Sequence, residues 1–178
     1  MRFADSVRPA SGAEHMLSHF WEIKKLERGE ISDFHGKKVG VATMIVNRLY
    51  HAIAALETVE PKQEELDWES IFAACGENFR DELRSVNFPA VTSETSEDRI
   101  RENWPEIRRI IAEELPDDAT LTRLMKQAGA ATETAAVGVD PALAVCGLKF
   151  HPYLRHRMTL SRLIPMLAIA VDYQKYIA

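Results

Sequence analysis

The 178-residue sequence predicts an all-α, multi-helix bundle, and three observations carry that reading. Apolar residues recur at three- and four-residue spacing in segment after segment. Residues that start helices, among them Ser, Asp and an Asp-Pro pair, stand just ahead of those segments. No alternating apolar-polar run of useful length is present to read as a strand. No internal repeat or linker divides the chain, so residues 1–178 are expected to form a single helical domain of about six to eight helices.

Ser11-Gly12-Ala13-Glu14 is a capping-box sequence, and the helix it opens carries Met16, Leu17, Phe20, Trp21 and Ile23 before ending near Arg28-Gly29. Asp33 is the expected cap of a second helix through Val39, Val41, Met44, Ile45, Leu49, Ile53 and Leu56; its largely apolar circumference places it centrally. Asp67 should cap a short helix holding Trp68, Ile71 and Phe72, and another short helix should run from about Asn78 to Val86, ahead of Pro89. Thr95 or Ser96 opens a long polar helix with Ile100, Trp104, Ile107, Ile110 and Ile111 as its apolar stripe, and Pro105 inside it. Asp117 or Asp118 caps a helix with Leu121, Leu124 and Met125, and Asp140-Pro141 starts one reaching Phe150. Thr159 to Ile169 is the expected last main helix, again containing a proline. Trp21, Trp68 and Trp104 read as core.

Composition excludes several classes. A 46% hydrophobic fraction and a net charge of -5 rule out intrinsic disorder. The 22 basic against 27 acidic residues give no electrostatic footprint for nucleic acid. The longest apolar stretch, Leu163 to Val171, contains Pro165 and is too short to span a bilayer, so no membrane role is expected. Cys75 and Cys146 form no CxxC pair and read as buried free thiols. No signal peptide opens the chain, and a cytoplasmic location is expected.

Histidine is the residue type with an unusual distribution: His15, His19, His35 and His51 fall within the first 51 residues. His15 and His19 are four apart, which puts their rings on one helix face, one turn apart. That spacing can serve one metal, but the intervening residues lack the glutamate of a zinc-protease HExxH helix. His35 precedes Gly36 at the head of the second helix. A helix from His15 to Arg28 advances about 20 Å and the next seven residues span about 23 Å when extended, so the chain can just return His35 to His15. The spacing permits a shared metal without requiring one. Arg8, ahead of the first helix, is a candidate phosphate ligand with the helix N–H groups, and pairing with a carboxylate is an equal alternative. Arg155 and Arg157 are open between phosphate binding and interhelical ion pairs; His51, His151 and His156 read as structural or surface residues.

Two strings carry a resemblance. Residues 8–22, Arg-Pro-Ala-Ser-Gly-Ala-Glu-His-Met-Leu-Ser-His-Phe-Trp-Glu, with Phe34-His35-Gly36-Lys37-Lys38-Val39-Gly40-Val41-Ala42-Thr43, resemble the sn-glycerol-1-phosphate dehydrogenases, within the glycerol dehydrogenase and iron-containing alcohol dehydrogenase group. Arg155-His156-Arg157-Met158-Thr159 resembles the R-x-R-Y-T segment of that family, with Met158 in the tyrosine position. The resemblance implies the C-terminal helical domain of such an enzyme, which reduces dihydroxyacetone phosphate with NADH or NADPH and a divalent metal such as zinc or nickel. It implies that His15 and His35 hold a metal that polarises the ketone oxygen, and that His19 is a catalytic residue near the substrate, either supporting the metal ligands from behind or relaying a proton.

The sequence also departs from that pattern. The family's third ligand is an aspartate well upstream of the first histidine; only fourteen residues precede His15, and Asp5, their sole aspartate, lies too close. None of the eight glycines falls in G-x-G spacing, so the N-terminal nucleotide-binding α/β domain is expected to be absent. Two readings follow. One is a metal- and substrate-side half, inactive alone, that uses NAD(P) only when a separately encoded nucleotide-binding domain supplies it. The other is a stand-alone helical domain, from a truncated gene or an expressed fragment, with a structural or partner-binding role and no catalysis. Either leaves an apolar face that self-association into a homo-oligomer could cover. A helical metallohydrolase ranks below both, since no His-Asp dipeptide occurs.

Overall fold

Short polar side chains set most of the helix starts, because the first backbone N–H groups of a helix have no partner within it. The computed structural model describes residues 12–177. Its helices are, in order, α1 (Ala13–Glu27), α2 (His35–Ala54), α3 (Trp68–Cys75), α4 (Arg80–Asn87), α5 (Glu97–Glu114), α6 (Asp118–Gln127), α7 (Pro141–Phe150) and the single turn α8 (Leu160–Leu163), with no strand among the described residues. Asp67, Ser96, Asp117, Asp140 and Thr159 each accept the N–H three residues on, at the heads of α3, α5, α6, α7 and α8. These caps settle the two open alternatives in favour of Ser96 and Asp117.

Three local expectations need correction. Ser11 lies outside the described residues; Gly12 is the residue before α1, and Glu14 reaches back to accept its N–H at 3.2 Å. Phe34, not Asp33, precedes α2; the Asp33 carboxylate accepts the Phe34 N–H at 2.6 Å instead of one inside the helix. The expected helix from Thr159 to Ile169 stops after one turn, and Ile164–Leu167 continues as 3-10 helix. Pro165 has no N–H for an α-helical bond, and its ring crowds the preceding turn. Pro105, by contrast, sits within α5, which runs on past it.

The helices enclose one contiguous apolar cluster, from Leu17, Phe20 and Trp21 of α1 through Val41, Ile45 and Leu49 of α2 to Met166 and Leu167. Trp104 is buried in it and donates its Nε1–H to the Leu56 carbonyl at 3.0 Å, tying α5 to the segment just after α2, which ends at Ala54 rather than reaching Leu56. Trp68 is only half-buried and stacks on Phe72. Cys75 and Cys146 are free thiols, but only Cys75 is buried as expected and Cys146 is half-buried; burial pushes Cys75 up to about 12.

α1 packs tightly against α7 at Gly147. A Cβ there would lie 2.7 Å from Trp21 Nε1 and 2.9 Å from Leu17 Cδ1, and both of those side chains are fully buried. Gly147→Ala should therefore destabilise the fold by about 1–3 kcal/mol, because a packed core absorbs an extra carbon only by straining. A shift of the urea midpoint to lower concentration at unchanged slope would show it.

Candidate metal centre

α1 buries Met16, Leu17, Phe20 and Trp21 and leaves His15, His19 and Glu22 half-buried on the side facing the start of α2. The connection from Arg28 to Phe34 doubles back and delivers His35, the first residue of α2, to that stripe. The three imidazoles converge. Ring centroids are 4.6 Å apart for His15–His19, 4.7 Å for His15–His35 and 4.9 Å for His19–His35. One nitrogen from each ring lies within 4.8 Å of those of the other two.

Glu22 organises the cluster. Its Oε2 is 2.7 Å from His19 Nδ1, and its Oε1 is 2.7 Å from His35 Nδ1. Lys38, buried one turn into α2, approaches Glu22 Oε1 at 3.0 Å and donates to Ser32 Oγ at 2.8 Å and to the Asp33 carbonyl. Burial raises the Glu22 pKa, but hydrogen bonds from His35, Lys38 and His19 outweigh it and hold the carboxyl down at about 2. An ionised carboxylate only accepts, so both Nδ1 atoms are donors. In the neutral rings the lone pair then sits on Nε2, the arrangement in which outer carboxylates orient metal-binding histidines. Burial, then the charges of His19 and His35, lowers the His15 pKa from its ordinary value, favouring the neutral ring that a metal needs. Imidazole nitrogens oriented by a carboxylate are a donor set that suits first-row divalent ions such as zinc, nickel, iron and copper.

A cleft of about 430 Å³ opens beside the cluster, bordered by His19 with Met16, Ile23, Phe79, Leu83 and Arg155. His15 and His35 do not line it, so His19 alone of the three borders both features. Arg8 lies outside the described residues. The other histidines are engaged elsewhere: His51 with the Pro116 carbonyl, His151 with that of Gly147, and His156 with Glu94 and the Val86 carbonyl.

Glu22 and Lys38 are the site residues missed in reading the sequence. Each stands three positions after a histidine, Glu22 after His19 and Lys38 after His35, so helical spacing already placed each on the same face as its neighbour.

Comparison with curated proteins returns one name repeatedly. The glycerol-1-phosphate dehydrogenase [NAD(P)+] of Halalkalibacterium halodurans is 30% identical over 152 residues, 85% of this chain and 31% of the relative. That of Geobacillus stearothermophilus is 28% identical over 155 residues, 86% of this chain and 31% of the relative. The chain is a homologue of the glycerol-1-phosphate dehydrogenases. The Bacillus subtilis glycerol-1-phosphate dehydrogenase adds a shorter match, 35% identical over 95 residues. The similarity covers most of this chain, yet the chain spans only about a third of the length of these dehydrogenases. No protein-family profile matches the chain, and no solved structure matches it. No helix among the described residues is long and apolar enough to cross a membrane.

Proposed function

We propose that this chain is the metal- and substrate-side helical half of an NAD(P)-dependent sn-glycerol-1-phosphate dehydrogenase, inactive until a nucleotide-binding domain joins it. The observation that carries this reading is the 4.7 Å approach of His15 and His35 in a chain with these relatives. His15 and His35 hold a divalent ion, zinc or nickel. When bound, that ion polarises the ketone oxygen of dihydroxyacetone phosphate and stabilises the negative charge that hydride transfer creates there. Glu22 keeps the rings in the right tautomer, and Lys38 offsets its charge. His19 acts beside the substrate from the edge of the cleft, passing a proton to the substrate oxygen. Arg155 places a cation at the same cleft for the substrate phosphate, and Arg8 is a second candidate.

The apolar side chains near the cluster support a covering partner. Leu26 is 77% exposed, Ile31 94% and Phe34 77%, on and around the turn that leads to His35. We read these side chains as part of the face that a nucleotide-binding partner covers. The same surface favours the second reading, a partner-binding helical domain without catalysis, so the tests must separate the two.

Purified protein should carry metal by elemental analysis, and His35→Ala should lose it; retention of metal in that variant would sink the shared site. The isolated chain should not oxidise NAD(P)H with dihydroxyacetone phosphate and added zinc or nickel. Supplying the nucleotide-binding part of a relative should produce turnover, whereas binding of that part without turnover would favour the non-catalytic reading. Size-exclusion at several concentrations reports whether a second copy covers the face instead.

A further inference from the structure

We infer that His19 is a metal ligand, so that His15, His19 and His35 form a complete three-histidine site within this one chain. The inference rests on the proposed metal at His15 and His35, and it gives His19 a different task from the supporting or relaying role that the family resemblance implies. A site for zinc and similar ions normally takes three protein ligands and leaves a further position open. Two imidazoles fall short of that, and the third donor is already at hand.

The three rings are evenly spaced. Centroid separations of 4.6, 4.7 and 4.9 Å form a nearly equilateral triangle, with no ring set back as a relay would be. Glu22 holds His19 as it holds His35, through Nδ1 at 2.7 Å in both cases, so both rings keep Nε2 for a ligand. Glu22 itself is committed: one oxygen serves His19, and the other serves His35 and Lys38. It is a positioning residue. A tetrahedral ion with bonds of about 2.0–2.1 Å needs its nitrogens about 3.4 Å apart. One nitrogen of each ring already lies within 4.8 Å of one in each of the other two, so turning the three Nε2 atoms toward a common ion asks for side-chain rotation, which half-exposed imidazoles can make. A site of neutral rings also leaves the full charge of the ion for its open position, beside a cleft that His19 borders.

The test uses the full chain, stripped of metal and titrated with Co²⁺ and with Zn²⁺. On the unaltered protein, proton NMR of the Co²⁺ form should show three strongly shifted exchangeable imidazole N–H signals, one per ligand ring. His19→Ala should leave two and weaken Zn²⁺ binding at least 100-fold, beyond the usual effect of losing an outer-shell partner. Glu22→Gln should keep three signals and weaken binding about 10–100-fold. His19 has a 45% exposed side chain, so far-UV circular dichroism should be unchanged by its replacement. Two signals in the unaltered protein, or wild-type affinity in His19→Ala, overturns the inference and leaves the His15–His35 reading standing. Unchanged binding in both His15→Ala and His35→Ala overturns that reading instead, and no binding by the unaltered chain overturns both.

Discussion

Replacing Arg162 with alanine should cost about 3–5 kcal/mol of stability, a large part of the 5–15 kcal/mol available to a typical domain. Arg162 is fully buried and pairs through Nη1 with Glu64, whose side chain is 1% exposed. The same carboxylate accepts the Tyr153 hydroxyl at 3.1 Å and the Thr92 hydroxyl at 2.6 Å, and the guanidinium lies 4.6 Å from the Tyr153 ring centroid. Removing the cation leaves a buried carboxylate with two hydroxyl donors and no counter-charge. That uncompensated charge, more than the lost attraction, sets the cost. The double replacement Arg162→Met with Glu64→Leu should therefore be less damaging than Arg162→Ala alone, although it strands the Tyr153 and Thr92 hydroxyls. Urea unfolding of the three proteins decides it. A loss below 1 kcal/mol for Arg162→Ala would show that the pair contributes little.

Acid should unfold the domain partly through His151, with about 3 kcal/mol lost between pH 6.5 and pH 4. The ring is completely buried, and its Nδ1 donates to the Gly147 carbonyl at 3.0 Å. Its Nε2 is buried with no partner among the described residues, so a second proton would sit on an unsatisfied nitrogen. Burial accordingly pushes the pKa down to about 4. The sign follows directly. Below pH 6.5 the unfolded chain takes up a proton that the folded chain refuses until about pH 4, so stability falls as pH falls across that window. About 2 kcal/mol of the loss should be present by pH 5. Glu22 has the opposite ionisation but adds a loss at lower pH, between its ordinary range and about 2. His15, also lowered, titrates in the same direction as His151. The measurement is therefore a difference: the change in unfolding free energy between pH 7.5 and pH 5 in the native protein and in His151→Leu. The variant should show a change smaller by about 2 kcal/mol, and equal changes would rule His151 out as the source.

Neither Arg162 nor His151 announces itself in the sequence. His151 reads as an ordinary structural or surface histidine because nothing in Phe150-His151-Pro152 signals complete burial. Glu64 and Arg162 are 98 positions apart, and each stands in a stretch whose periodicity says nothing of its partner. Their pairing helps fasten the irregular segment between α2 and α3 to the α8 turn, and the bond from the Lys62 N–H to the Met166 carbonyl at 2.8 Å ties the same segment to the 3-10 stretch that follows. Local rules also misjudged the last helix, whose proline was visible but whose early stop was not. The same kind of proline at position 105 lies inside a helix that continues.

Helical class, most helix starts and the candidate histidines were all legible, because caps, 3.6-residue periodicity and i,i+4 spacing are local properties of the chain. The spacing also placed His15 and His19 on one face and allowed His35 to reach them. Convergence of all three rings was decided by tertiary structure, since it depends on the path of the α1–α2 turn and on how α2 packs against α1. The Glu22 clasp, with buried Lys38 behind it, likewise exists only once those two helices meet. Chain length bounds where His35 can go; packing and hydrogen bonding choose the one place it does go.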